Sequence, residues 1–229
     1  MKKSVIFIIV CLLLVLDGCE KSQTDFQSIS IMKAELKSLA NSKVDKMGEL
    51  DPCNPMNPFD AWGGALFIGM TKVSQTKSVS GSLLIYNQNE FIEKLKLEIP
   101  QEYLHVDTIN VNMKNVESLC GEFLSLFVNR NVFESLQLSK KMENYVNRSK
   151  FLKEVDKTYI LKFVSLIRYS TYFNYTLNNL SKGSFETCWK RELQKIEDMG
   201  FFSRAACVID WPMCLGAVAA DCLWEKIST

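Results

Sequence analysis

Residues 149–180 read SKFLKEVDKTYILKFVSLIRYSTYFNYTLNNL, the longest uninterrupted helical pattern in the chain. Leu152, Val155, Tyr159, Phe163 and Leu166 recur at steps of three and four, so one face of the helix they predict is apolar. Lys150, Lys153, Lys157 and Arg168 line another face, which reads as solvated. Ser149 opens the segment, and Gly183-Ser184 breaks the chain after it.

Shorter helices flank this one. Ile29, Met32, Leu36 and Leu39 give a helical spacing over 25–41. The breakers Gly48, Pro52, Pro55 and Pro58 make 42–58 a loop, and a short helix follows from Asp60 to about residue 70. Residues 71–82, rich in Ser, Thr and Lys, read as a mobile linker. Asn89 is the expected cap of a helix over 90–97 that Pro100 ends. Val116, Leu119, Cys120, Phe123 and Phe127 mark an amphipathic helix, and Asn131 caps the next, to about Val146. Trp189, Leu193 and Ile196 share a side of a helix over 185–199. Asp210 caps a last one with Pro212 in its first turn, where Cys214, Val218 and Cys222 stack on one face. Only 83–86 and 106–111 look like short strands. The expectation is an all-α fold, an irregular bundle of about six to eight helices.

The N-terminus carries an address. Met1-Lys2-Lys3 precedes twelve apolar residues, Val5 to Leu16, then Asp17-Gly18-Cys19. A membrane-spanning helix needs about 20 residues, so this run suits a cleaved signal. The pattern resembles a bacterial lipoprotein signal, with Asp17 where a small or apolar residue is usual. The resemblance implies a signal peptide over 1–18, cleavage before Cys19 and lipid attachment to Cys19. A polar tether over 19–24 would then lead into a helical domain over 25–229. Glu20, in place of the aspartate that often retains such proteins at the inner membrane, favours the outer membrane.

Cysteine arithmetic agrees with that reading. Of 8 cysteines, Cys11 lies in the signal. Lipidation of Cys19 leaves Cys53, Cys120, Cys188, Cys207, Cys214 and Cys222, an even set that can pair outside the cytoplasm. Their connectivity is open, except that Cys214 and Cys222 on one helix stand about 12 Å apart, beyond disulfide reach. The chain holds 27 Lys and Arg against 26 Asp and Glu, and losing Lys2, Lys3 and Asp17 with the signal leaves 25 of each. This balance lacks the basic excess of a nucleic-acid binder, so no nucleic-acid partner is expected.

Catalytic signatures are scarce. The one histidine, His105, rules out an HExxH zinc site, and no phosphate loop, Gly-x-Ser-x-Gly elbow or CxxC pair occurs. No metal or cofactor is expected. Glu90 and Glu93 could share a helix face, but glutamates in a first turn ordinarily sit in solvent. Glu117 and Glu122 point apart. Lys140, Lys141, Arg148, Lys150, Lys153, Lys157, Lys162 and Arg168 outnumber Glu143, Glu154 and Asp156 between 140 and 168. They read first as a solvated helix face and second as a contact for anionic headgroups or an acidic partner. Tyr169, Tyr172, Phe173 and Tyr175 read as core more readily than as a sugar platform.

Residues 57–63, Asn-Pro-Phe-Asp-Ala-Trp-Gly, resemble the NP-aromatic-D-x-x-G box of uncharacterised Bacteroidota lipoproteins. There a His-Asn pair often follows; here Leu66-Phe67 takes its place. The resemblance implies no known activity. The residues themselves suit a helix start, with Pro58 opening it, Asp60 near its positive end and Gly63-Gly64 allowing close packing. The functional expectation is a lipid-anchored envelope protein with a non-catalytic binding or structural role, held to the membrane through Cys19 and open to an envelope protein partner. The alternatives are an immunity-type lipoprotein that neutralises a toxin, or an envelope hydrolase using carboxylates or His105.

Overall fold

The computed structural model describes residues 28–42, 50–75, 88–104, 110–179 and 185–198, with Cys214, Val218, Asp221 and Cys222. The expected signal segment, Cys19, His105, Cys207, Asp210 and both candidate strands apart from Asn110 and Val111 lie outside them. Among the described residues there are seven α-helices and no strand, as the periodicity predicts. They are α1 (28–41), α2 (Asp60–Ser74), α3 (Gln88–Glu98), α4 (Met113–Phe127), α5 (Val132–Arg148), α6 (Glu154–Asn179) and α7 (Phe185–Asp198). A 3-10 turn, Gln101–Tyr103, follows α3.

α6 is the central element, and α2, α4, α5 and α7 all pack on it. Its middle is buried almost all round: Tyr159, Ile160, Leu161, Phe163, Val164, Leu166 and Ile167 are all core. The long pattern starts later than expected. Ser149 ends α5 in an extended conformation, and its hydroxyl accepts the Phe151 N–H at 3.2 Å, so the chain turns before α6 begins. Lys150 and Lys153 therefore sit on the α5–α6 corner, and Val155, in the first turn of α6, faces outward at 38% exposure. Arg168, expected on the solvated face, is wholly buried.

Side-chain caps explain several boundaries. Asn112 accepts from the Asn115 N–H at the head of α4. Asn131 and Glu134 form a reciprocal capping box at α5, which satisfies two orphan donors at once. Buried Asp156 accepts the Asn112 N–H at 2.7 Å and ties the start of α4 to the first turn of α6. Two expectations need correction. Asn89 lies inside α3 rather than at its cap, and 71–74, assigned to a linker, complete the last turn of α2. On α1, Ile29, Met32, Leu36 and Ala40 join the core, while Lys33 and Lys37 reach Glu122 of α4.

The apolar face of α7 forms as the spacing implies, with Trp189, Leu193 and Ile196 buried. Cys188 at its start is bridged to Cys222, and Val218 and Cys222 are buried. Cys214 is also disulfide-bonded. Cys53 and Cys120, both candidates for bridging, are instead not in a disulfide. Cys120 lies in the core face of α4, where it fills space as a small apolar group, and Cys53 is exposed on the loop before α2.

Candidate functional site

The most concentrated polar chemistry among the described residues begins at Asn54-Pro55-Met56-Asn57-Pro58-Phe59-Asp60. Proline after each asparagine disfavours a helical asparagine, and each asparagine makes its own turn. The Asn54 carboxamide oxygen accepts the Met56 N–H at 3.2 Å, and that of Asn57 accepts the Phe59 N–H at 2.9 Å. The backbone repeats the pattern: Asn57 N–H donates to Asn54 C=O and Asp60 N–H to Asn57 C=O. Two Asx turns in tandem thus carry both amide Nδ2 groups to the same side.

Both amides meet one carboxylate. Asn54 Nδ2 donates to Glu143 Oε2 at 2.6 Å, and Asn57 Nδ2 to Glu143 Oε1 at 2.8 Å and to the Leu161 carbonyl at 3.1 Å. Glu143 belongs to α5 and is 0% exposed. From α6, Arg168, also 0% exposed, donates to Glu143 through Nε and Nη2 and to Asp60 Oδ1 through Nη2. Asp60 Oδ1 also accepts the Asn54 N–H, which closes the loop on itself, and Tyr169 Oη donates to Oδ2 at 2.8 Å. Arg168 Nη1 makes no hydrogen bond among the described residues.

Every hydrogen-bonding group that faces Glu143 is a donor, an arrangement the ionised carboxylate alone satisfies in full. Burial pushes its carboxyl above the ordinary value, against the pull of Arg168 and the two amides. Burial works against the Arg168 charge as well, but Glu143 and Asp60 outweigh it and hold the guanidinium above its usual value. Burial and the Asp60 carboxylate also raise Tyr169, so its phenol stays protonated as a donor.

Glycine lets the two helices come close enough for this. A Cβ at Gly63 of α2 would stand 2.3 Å from Tyr169 Cδ2 and 2.5 Å from the Ser165 carbonyl oxygen, so no larger residue fits without displacing α6. Gly63 N–H donates to Ser165 Oγ, which donates to the Asp60 carbonyl. Lys162 lies over the Trp62 ring at 3.9 Å from its centroid, above the same contact.

Chemically, the cluster is a clip: it fastens the 54–60 loop to α5 and α6. Glu143 and Arg168 offer nothing to solvent. Cys53 is exposed beside it, but burial of the thiol and the Asp60 charge raise its pKa, the wrong direction for a nucleophile. Glu90 and Glu93 are exposed on α3, and Glu122 is engaged with Lys33 and Lys37. None of the carboxylates considered from sequence as acid–base candidates enters the cluster. No group of His, Cys, Asp or Glu among the described residues could hold a metal ion.

Sequence reasoning found the Asn57–Gly63 box but missed its partners, because Glu143 and Arg168 were counted within a run of solvated charge. A signal was present. Glu143 falls four after Ser139 and three before Val146, on the buried stripe of α5, and Arg168 falls likewise between Val164 and Thr171 on α6. A charge on an apolar stripe is a buried charge in search of a partner. Comparison with family models, curated proteins and solved structures finds no match to this chain.

Proposed function

We propose that this chain is a lipid-anchored cell-envelope protein, cut before Cys19 and acylated there, whose helical domain has a non-catalytic binding or structural role. The signal pattern and Cys19 carry this reading. The Cys188–Cys222 bridge supports it, since disulfides persist in oxidising compartments outside the cytoplasm. Two acyl chains or more on Cys19 would anchor stably, at about 0.8 kcal/mol per buried methylene. The closed cluster supports the non-catalytic part: its central carboxylate and guanidinium are occupied with each other and wholly buried.

The test is the intact mass of the protein purified from membranes of a lipoprotein-processing host. The expected mature form begins at Cys19 and carries acyl mass there, and Cys19→Ser leaves the precursor uncut or releases it from membranes. A mature N-terminus without acyl mass would overturn the anchor.

A further inference from the structure

We infer that the α5–α6 corner is the surface through which the anchored protein lies against an anionic phospholipid bilayer, an inference that rests on acylation at Cys19. The corner runs from Arg148 to Val155. Arg148, Lys150 and Lys153 are exposed, and none is in an ion pair among the described residues. Between these cations in the sequence Phe151 is 55% exposed, so its ring is open to an apolar contact. Val155, in the first turn of α6, is 38% exposed. The local acids do not cancel the charge: Glu154 is paired with Lys157 at 2.8 Å, and Asp156 is buried on the Asn112 N–H.

Position supplies the occupant. Ser149 Oγ contacts Met32 Sδ at 3.8 Å, so the corner abuts the first turns of α1, the end at which the chain from Cys19 arrives. Ile31, beside Met32, is itself 47% exposed. Eight residues separate Cys19 from Ser28, so nine Cα–Cα steps join them and span at most about 32 Å. Acylated Cys19 therefore keeps this end of the domain within that distance of the headgroups, whatever path the eight residues take. A bilayer offers phosphates to the three cations and an interfacial layer suited to the Phe151 ring. The attraction is the screened kind, acting within about 8 Å at physiological salt.

The test uses the full-length lipoprotein, reconstituted in vesicles of phosphatidylethanolamine with phosphatidylglycerol or with phosphatidylcholine, with bromine on the acyl chains. In the variant Phe151→Trp, bromine should quench the added emission beyond the wild-type background. The quenching should be at least twofold stronger with phosphatidylglycerol, and fall to the zwitterionic level in 1 M salt or when Lys150→Glu and Lys153→Glu are added. Quenching no greater than wild type in either vesicle overturns the proposal. The N-terminal mass of the same sample separates the two failures: acyl mass without quenching sinks the corner alone, and absent acyl mass sinks the anchor and the corner with it. If Phe151→Trp loses its helical circular dichroism, wild-type amide exchange over 148–155 decides. Slower exchange on phosphatidylglycerol vesicles than on zwitterionic ones supports the contact, and equal exchange overturns it.

Discussion

The helices α5 and α6 carry charge in two places, and the two are treated in opposite ways. Midway along the pair, Glu143 and Arg168 are 0% exposed and bonded to each other, to Asp60 and to two asparagines. At the corner that joins them, Arg148, Lys150 and Lys153 stand in solvent around an exposed Phe151. A charge count along 140–168 merges the two and finds a basic stretch. The fold separates them: one group of charges is used inside to hold a loop in place, and only the other is presented outward. Charge that is already partnered and dry contributes to register and stability, while exposed charge remains available for a partner.

The sharpest way to break this comparison is to remove one inner partner. Arg168→Met leaves the buried Glu143 carboxylate with only the two amides, and should cost about 3–5 kcal/mol in urea unfolding. A cost below about 1 kcal/mol would mean that water reaches the cluster. The covalent bridge elsewhere in the fold gives a yardstick. Cys188→Ser with Cys222→Ser opens a link across 34 residues and should cost about 2–4 kcal/mol, comparable to or below the ionic clip. Thiol counts under denaturing, non-reducing conditions should be the same before and after this change, and prior reduction should give the wild type two more thiols than the variant. Gly63→Ala drives a methyl group toward Tyr169 and the Ser165 carbonyl, and should cost about 1–3 kcal/mol by forcing α2 from α6. An unchanged midpoint would show that the helices part freely there. Least affected should be the corner: Lys150→Glu with Lys153→Glu should change stability by no more than about 0.5 kcal/mol. A large loss would show that these lysines serve the fold.

Much of the fold was legible because periodicity and caps agree. Val116 to Phe127 and Trp189 to Ile196 bury the faces their spacing implies, and Asn131 caps α5. The start of α6 was not, because the apolar steps at Leu152 and Val155 continue the helical period straight through the Ser149 turn. Side-chain spacing does not show where a hydroxyl captures a backbone N–H. For the cluster, the Asn57–Gly63 box was visible but its meaning was not. The amides of Asn54 and Asn57 are 89 and 86 residues from Glu143 in sequence, and Arg168 lies 108 from Asp60. A polar residue on an apolar stripe announces that a partner exists, and only the packing of α2, α5 and α6 says which. For the cysteines, count and compartment favour bridging, but geometry selects Cys188 with Cys222 and leaves Cys53 and Cys120 as thiols.

The central claim is that the inner charges serve one another, and a double-mutant cycle reads that directly. Glu143→Leu, Arg168→Met and the two together are compared by equilibrium urea unfolding of the full-length protein. Arg168→Met leaves the buried Glu143 carboxylate without a cation and Glu143→Leu leaves the buried Arg168 with Asp60 alone, whereas the pair replaces both charges with apolar groups of similar size. The account predicts that each single costs about 3–5 kcal/mol and that the double costs at least about 3 kcal/mol less than their sum. Costs that simply add would contradict it, and would mean that Glu143 and Arg168 act independently.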